Sequence, residues 1–355
     1  MVLSQFVVAL LVLVEVIGLP GNLVVIATVA LESRFHVMRY ILLASLAVSD
    51  FLSLILVNSF RVASIANKRW LYGETMCYLN PCLLRYFYFN TVFHLLAVSY
   101  ERYQAIVQSP LTHDGTINKS RVAIIALAWI MPIPFSITPF LGWGKFVYNP
   151  QVFYCEQGFV QSASSRENAV IFAILFFFAP FLVISLLNWS VYRVTRRQTL
   201  AVSVQIGNLD GAEDNSHKNV TRRESDRKAA KDVIIIIAAF LLCFLPTWIS
   251  GIFRSFVQEA SVPAEVTLIT SPIFFVNSLC NPIIYSNRKR EFRKAVYTLL
   301  TRTGVCGNAN VIPNIQRNVI EMTTSNTLNR EGPTESSAAV LATWHPERMY
   351  SRDSV

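Results

Sequence analysis

The sequence is short of charge. Asp, Glu, Lys and Arg make up 15% of its 355 residues while 53% are hydrophobic, and soluble domains carry about a quarter charged residues. That deficit, with a mean hydropathy of +0.42, excludes an ordinary soluble domain and points to an integral membrane protein. Other signals are missing as well. The chain has no internal repeat, which argues against a transporter of repeated topology. It has no phosphate-binding loop, no nucleophile with a matching base and no cluster of metal ligands, so an enzyme is not expected. Six cysteines are too few for a disulfide scaffold, and at most one bridge is expected. The net charge of +9 would suit nucleic acid, but the basic residues gather in particular loops, and the positive-inside rule accounts for that without a nucleic-acid partner.

What is present is a series of apolar blocks, at residues 6–30, 40–63, 77–107, 122–141, 169–192, 233–256 and 264–286. Each is long enough to cross a bilayer as a helix that satisfies its own backbone hydrogen bonds. The first is too long for the apolar region of a secretory signal and is expected to remain as a span. Basic residues follow spans one, three, five and seven (Arg34 and Arg39; Lys119 and Arg121; a run from Arg193 to Lys231; Arg288 to Lys294). The other loops hold Lys68, Arg69, Lys145, Arg166 and Arg254. The N-terminus is therefore expected outside and the tail inside.

The third block is the longest, roughly 46 Å at about 1.5 Å per residue, against ~30 Å of hydrocarbon, so it must tilt or project. It opens at Cys77, carries Asn80, Pro81, Arg85 and an aromatic run from Tyr86 to Phe89, and ends in Glu101, Arg102 and Tyr103. Beyond span seven, residues 288–300 place Phe292, Val296, Leu299 and Leu300 on one helical face, the pattern of a short amphipathic helix on the inner membrane surface. Cys306 is either a palmitoylation site that holds this helix down or a free thiol. The expected organisation is residues 1–5 extracellular, 6–300 a seven-span domain with its amphipathic helix, and 301–355 a disordered cytoplasmic tail.

Charged and amide side chains inside a bilayer cost several kcal/mol unless paired or hydrated, so each is a functional candidate. Asn22 lies in span one, Asp50 in span two after Leu46 and Ala47, and Thr91 in span three. Span seven has Asn277, Ser278 and Asn281, followed by Pro282 and Tyr285. Trp129, Pro180 and Cys243-Phe244-Leu245-Pro246 mark spans four to six. One such residue per span, in this order, resembles the rhodopsin-like, or class A, G-protein-coupled receptors over roughly residues 6–300. The Leu-Ala-x-x-Asp motif ends at Asp50, the Asp/Glu-Arg-Tyr motif is Glu101-Arg102-Tyr103, and Asn-Pro-x-x-Tyr is Asn281, Pro282 and Tyr285. Two positions depart: Phe244 replaces a tryptophan, and Asn188 replaces the tyrosine of span five, with Tyr192 one turn on.

The resemblance implies an all-α, seven-transmembrane bundle with a short amphipathic eighth helix in the plasma membrane, taking a small extracellular ligand and activating heterotrimeric G proteins. It implies a disulfide from Cys77 to Cys155, although Cys82 is a rival. It implies that Arg102 is held at rest by Glu101 and by Asp226, the latter otherwise a solvated charge. Asp50, Thr91, Asn277, Ser278 and Asn281 match an allosteric sodium pocket, the alternative being a water-filled polar network. The tail serines and threonines, among them Thr323, Thr324, Ser325, Thr327, Ser336 and Ser337, match sites for receptor kinases and arrestin. The final Asp353-Ser354-Val355 is a weak PDZ ligand. Sequons at Asn118, Asn188 and Asn219 fall inside the cell or within a span, so glycosylation is not expected.

For the ligand, the exclusions come first. Leu84 stands where amine receptors of this family place an aspartate, Phe275 where opsins place a lysine, and Gly251 near the asparagine of adenosine receptors. The N-terminus is too short for the large hormones, and none of the five histidines is expected at the outer face. The expected pocket holds Leu84, Arg85, Tyr88, Phe244 and Ser271. Within it Arg85 either anchors a carboxylate or phosphate or is paired internally, and Glu15 is placed to neutralise an arginine such as Arg61. A receptor without its own ligand, constitutively active or acting as a heteromer partner, is the alternative.

Overall fold

The computed structural model describes residues 2–108, 119–158, 163–207, 235, 238–239, 241–256, 263–288 and 290–302. The chain divides into two units, Met1–Val296 and Tyr297–Val355. Among the described residues, the first holds seven long helices. α1 is Val2–Leu31. α2 is Met38–Asn67, interrupted by a π turn at Leu54–Asn58. α3 is Gly73–Tyr103, followed by a π turn at Gln104–Gln108. α4 is Lys119–Leu141. α5 runs from Ala163–Ala173 through a π turn at Ile174–Phe178 into Ala179–Gly207. α6 is described over Leu241–Phe256 and α7 over Ala264–Arg288. An eighth helix, α8, is Arg290–Arg302. It passes the division between the units, and residues 297–302 are all that is described of the second.

Among the described residues, five helices are long and apolar enough to cross a membrane by length and composition: α1, α2, α4, α5 over Ala169–Arg197 and α7 over Ala264–Ile284. The described part of α6 is shorter. α3 has the length, but Asn80, Arg85, Asn90, Thr91 and His94 lie along it. Its position explains why those residues are tolerated, because α3 packs on α2, α4, α5 and the hairpin described below. Its polar groups meet protein instead of lipid. Asn80 Nδ2 donates to the carbonyls of Leu56 and Val57, both at 3.4 Å, which lie in the π turn of α2. Tyr86 donates to Trp129 O at 3.0 Å and Asn90 to Ala128 O at 3.1 Å. Backbone irregularity at membrane depth is acceptable where protein side chains take up the freed groups.

The bundle is all-α as expected, and the loop between α4 and α5 adds a short strand pair. There β1 (Lys145–Asn149) and β2 (Tyr154–Gly158) form an antiparallel hairpin in which Tyr148 faces Cys155. Asn149 Oδ1 accepts the Gln151 amide at 2.9 Å and shapes the turn. Cys155 is bonded to Cys77, with Cα atoms 5.2 Å apart. This is the pairing the resemblance implied, and Cys82 is a free buried thiol. Closing a loop of this length contributes about 4 kcal/mol on the chain-entropy model. α3 begins a turn before Cys77, at Gly73, so the bridge leaves a formed helix and fixes β2 across its end.

Close helix approach depends on small residues. At Gly21 a Cβ would sit 3.3 Å from the Pro282 ring, tighter than most such contacts, so a side chain there would press on the α1 to α7 contact. The start of α8 is anchored by protein contacts. Phe292 and Ala295 are buried, and the Phe292 ring lies 5.5 Å from Phe35 and 6.4 Å from Tyr40. Part of the apolar face expected to lie on lipid therefore packs on the connection between α1 and α2.

Candidate functional site

The site has two parts on one helix. Near the hairpin end α3 contributes Leu84, Arg85 and Tyr88 to a cavity of about 200 Å³, walled also by Phe172, Phe244, Trp248, Phe274 and the β2 residues Glu156 and Gln157. Four of the five expected pocket residues thus line one space. The fifth, Ser271, is in α7, but its side chain lies outside the described residues.

Tyr88 is the node of this cavity. Its hydroxyl accepts a hydrogen bond from Trp248 Nε1 of α6 and donates to Phe176 O at 3.1 Å. Phe176 belongs to the π turn of α5, where a carbonyl is out of register with the helical ladder and open to a side-chain donor. The Tyr88 ring meets Phe244 edge-on at 5.0 Å and lies 6.0 Å from Phe274. One phenol therefore joins α3, α5, α6 and α7. Phe244, in place of the usual tryptophan, is fully buried two residues before Pro246.

The charges around the cavity are mostly positive. Arg85 stacks 4.0 Å above the Phe172 ring and donates to Gln157 Oε1 at 3.4 Å. Arg61 of α2 lies 4.2 Å over the Tyr154 ring and is 2% exposed. Glu15 accepts hydrogen bonds from Asn58 Nδ2, at 3.4 Å, and from Ser59 Oγ, so it ties α1 to α2 just before Arg61. The sequence reading missed the most definite pair. Arg254 of α6 holds Glu156 of β2 in a bidentate ion pair, Nη1 to Oε2 at 3.0 Å and Nη2 to Oε1 at 2.7 Å. Both residues are buried, and Asn149 adds a 2.7 Å bond to the same carboxylate. No local pattern could have joined a strand residue to a helix residue 98 positions away.

The second part is a polar path through the middle of the chain's helices. Ser278 Oγ donates to Asp50 Oδ1 at 3.0 Å and Asn281 Nδ2 to Oδ2 at 2.7 Å, linking α2 to α7. Asn22 Nδ2 donates to Ser278 O at 3.0 Å, adding α1. Thr91 and Asn277 are buried, but the bonds to Asp50 come from Ser278 and Asn281. Another group joins α2, α3 and α4: His94 Nδ1 is 2.8 Å from Asn90 O and Nε2 is 2.8 Å from Ser45 Oγ, which accepts from Trp129 Nε1 at 2.8 Å. A neutral imidazole donating to the carbonyl takes its second bond from the serine hydroxyl.

At the far end of α3, Glu101 is buried while Arg102 and Tyr103 are half-buried. Asn188 is also buried. It donates to Ser99 Oγ at 3.1 Å and to Ile184 O at 2.8 Å, so it ties α5 to α3 one turn before Arg102. Pro282 and Tyr285 follow in α7, though the Tyr285 side chain lies outside the described residues. Asp226, Cys306 and the tail serines and threonines also lie outside the described residues. Among those described, no three His, Cys, Asp or Glu residues are grouped as metal ligands.

Comparison with known proteins gives one answer at three levels. The family model for the "7 transmembrane receptor (rhodopsin family)" matches residues 21–285. Among curated relatives, trace amine-associated receptor 8b of Rattus norvegicus is 31% identical over 303 residues, covering 81% of this chain and 83% of the relative. The octopamine receptor beta-2R of Chilo suppressalis is 27% identical, covering 80% and 77%. The 5-hydroxytryptamine receptor 4 of Rattus norvegicus is 26% identical, covering 81% and 74%. The crystal structure of squid rhodopsin shares the fold, with a TM-score of 0.72 at 20% identity over 86% of this chain and 88% of that one. The helices, the disulfide and the intramembrane polar residues have their explanation in that match: the chain belongs to the rhodopsin family of seven-transmembrane, G-protein-coupled receptors, and not to a family of enzymes.

Proposed function

We propose that the chain is a plasma-membrane receptor with its N-terminus outside, which takes a small ligand into the cavity at Arg85 and Tyr88 and activates heterotrimeric G proteins at Arg102. The observation that carries this reading is the double duty of α3. It walls the cavity at one end and bears Glu101-Arg102-Tyr103 roughly 25 Å further along, at about 1.5 Å per residue. A ligand that displaces Tyr88 also acts on Trp248 and Phe244 of α6, beside Pro246, where a helix lacks a ladder bond and bends most easily. Such a ligand biases a two-state element.

The proposal extends to a latch between Arg102, Glu101 and Asp226 that opens in the active state. It includes a sodium ion held by Asp50 with oxygens of Thr91, Asn277, Ser278 and Asn281. A buried carboxylate beside buried hydroxyl and amide oxygens is a donor set suited to a hard cation. Receptor kinases and arrestin at the tail, a PDZ partner at Val355 and lipidation at Cys306 complete it.

The test is basal second-messenger output for each G-protein class, at matched surface expression, for the native chain, Arg102→Ala and Asp226→Ala. A basal signal lost in Arg102→Ala and raised in Asp226→Ala supports the switch. An unchanged signal in Asp226→Ala removes the latch, and silence in every variant shifts the weight to a heteromer-partner role. For sodium, basal activity should fall as sodium rises and lose that dependence in Asp50→Asn. If neither change has an effect, the ion is dropped from the reading.

A further inference from the structure

Consecutive side chains of β2 reach three helices. Arg61 of α2 lies 4.2 Å over the Tyr154 ring. Cys155 is bonded to Cys77 of α3. Glu156 takes both Nη atoms of Arg254 in α6 and also attracts the guanidinium of Arg61. Gln157 accepts from Arg85 of α3 at 3.4 Å. The guanidinium groups that line the cavity among the described residues, those of Arg61, Arg85 and Arg254, therefore all engage one strand. The hairpin is in turn part of the cavity, because Phe146, Glu156 and Gln157 belong to its walls. Contacts that hold β2 in place also close that side of the space.

The Arg254–Glu156 pair differs from a surface ion pair in two ways. Its side chains are only 5% and 11% exposed, and a buried charge left alone costs more than the pair does. The two groups part only when water enters with them, so the contact is either made or open. The pair is also tied at one end. Cys155 fixes the neighbouring residue to the start of α3, and one residue of strand spans about 3.3 Å, so Glu156 stays near α3. Asn149 of β1 holds the same carboxylate from within the hairpin at 2.7 Å. The partner that can move away is Arg254. It stands about two helical turns beyond Pro246, on the part of α6 that a bend at that proline displaces.

We propose that β2 is a gate on this cavity, closed by the Arg254–Glu156 pair and opened when α6 beyond Pro246 moves off the strand. Ligand entry and release then depend on the pair, and only that consequence rests on the receptor reading. The gate itself belongs to the chain without ligand or G protein.

The test reads access to the cavity. Leu84→Cys places a thiol on its α3 wall. The full-length chain in lipid nanodiscs is labelled with sulfonatoethyl methanethiosulfonate, a water-soluble anion, and the chain retaining Leu84 gives the background from the native cysteines. Labelling should quicken about 10- to 100-fold in Glu156→Gln and likewise in Arg254→Gln, the scale of a lost charge-assisted bond. These variants change the charge of the cavity in opposite directions, so charge alone would speed the anion in the first and slow it in the second. The double variant should label no faster than the faster single one, since the two residues form one contact. Rates are compared well below each unfolding midpoint. Asn149→Asp is the milder variant should a single variant fail to fold. It keeps the turn acceptor for Gln151 and withdraws the donor from Glu156, and it should quicken labelling by a smaller factor despite the added negative charge. Unchanged rates in the variants that fold, rates that move apart with the sign of the charge removed, or additive effects in the double variant would each overturn the gate. Faster labelling in both single variants with no further gain in the double one sustains it, with or without G-protein activation, so failure of the gate and failure of the receptor reading are told apart.

Discussion

Between Cys77 and Tyr88, α3 faces arginines, aromatic rings and a strand hairpin. Between Asn90 and Ser99 it carries amide, imidazole and hydroxyl groups that bond across to neighbouring helices. The first region is held by a few strong links: the Cys77–Cys155 bridge, the Arg254–Glu156 pair and the Tyr88 hydroxyl. The second has many modest links, among them Asp50 to Ser278 and Asn281, and Asn188 to Ser99. A cavity wall built from large rings and a few ties can change its chemistry residue by residue. A mesh of shared hydrogen bonds transmits a change in any one member to the others. The matched motifs of the family fall mostly in the mesh; of the departures, Leu84 and Phe244 line the cavity and Asn188 lies in the mesh.

The contrast can be broken most forcefully at Arg254. Arg254→Ala leaves the Glu156 carboxylate buried without its bidentate partner. It should lower stability by about 3–5 kcal/mol, read as a fall in the unfolding midpoint of the purified receptor. Arg254→Ala combined with Glu156→Ala should recover part of the loss. A double variant no better than the single one would show that the pair does not act as a unit.

Tyr88→Phe comes next. It removes the bonds to Trp248 and to Phe176 O while keeping the ring, a loss of about 2 kcal/mol at about 1 kcal/mol each. Because the two partners lie on α5 and α6, basal signalling should change along with the midpoint. A change in the midpoint alone would confine Tyr88 to a structural role.

Within the mesh the single effects are smaller. Ser278→Ala takes one donor from Asp50 and should cost about 1.5 kcal/mol. Asn188→Ala frees α5 from Ser99 and should cost about 1 kcal/mol. Asn188→Tyr restores the residue usual in the family. It should lower stability by crowding a fully packed site and alter G-protein coupling, measured as the maximal second-messenger response. If Ser278→Ala proves more damaging than Arg254→Ala, the contrast between the two regions is wrong.

Much of the fold was legible because membrane solvation acts on each segment separately. A stretch in hydrocarbon must satisfy its own backbone, so span length and apolarity appear locally in sequence, and α1, α2, α4, α5 and α7 follow from that requirement alone. The motif residues were legible for a related reason: Asp50, Asn22 and Asn281 are costly inside a bilayer and stand out against apolar neighbours. The limits of α5 were not, since Ala163–Ala173 precedes the expected start at residue 169 and carries ordinary polar residues. The hairpin was not legible either, for strands as short as Lys145–Asn149 leave little periodicity to read.

The sequence by itself determined the membrane solution, the order of the spans and the identity of the intramembrane polar residues, because each is a local matter of solvation. Only the tertiary structure decided how those residues are used. It decided that Glu156 answers Arg254, that Arg85 lies on Phe172, that the π turn of α5 offers its carbonyl to Tyr88, and that Asn188 reaches Ser99. These pairings join residues far apart in the chain. Their geometry exists only once the helices have packed.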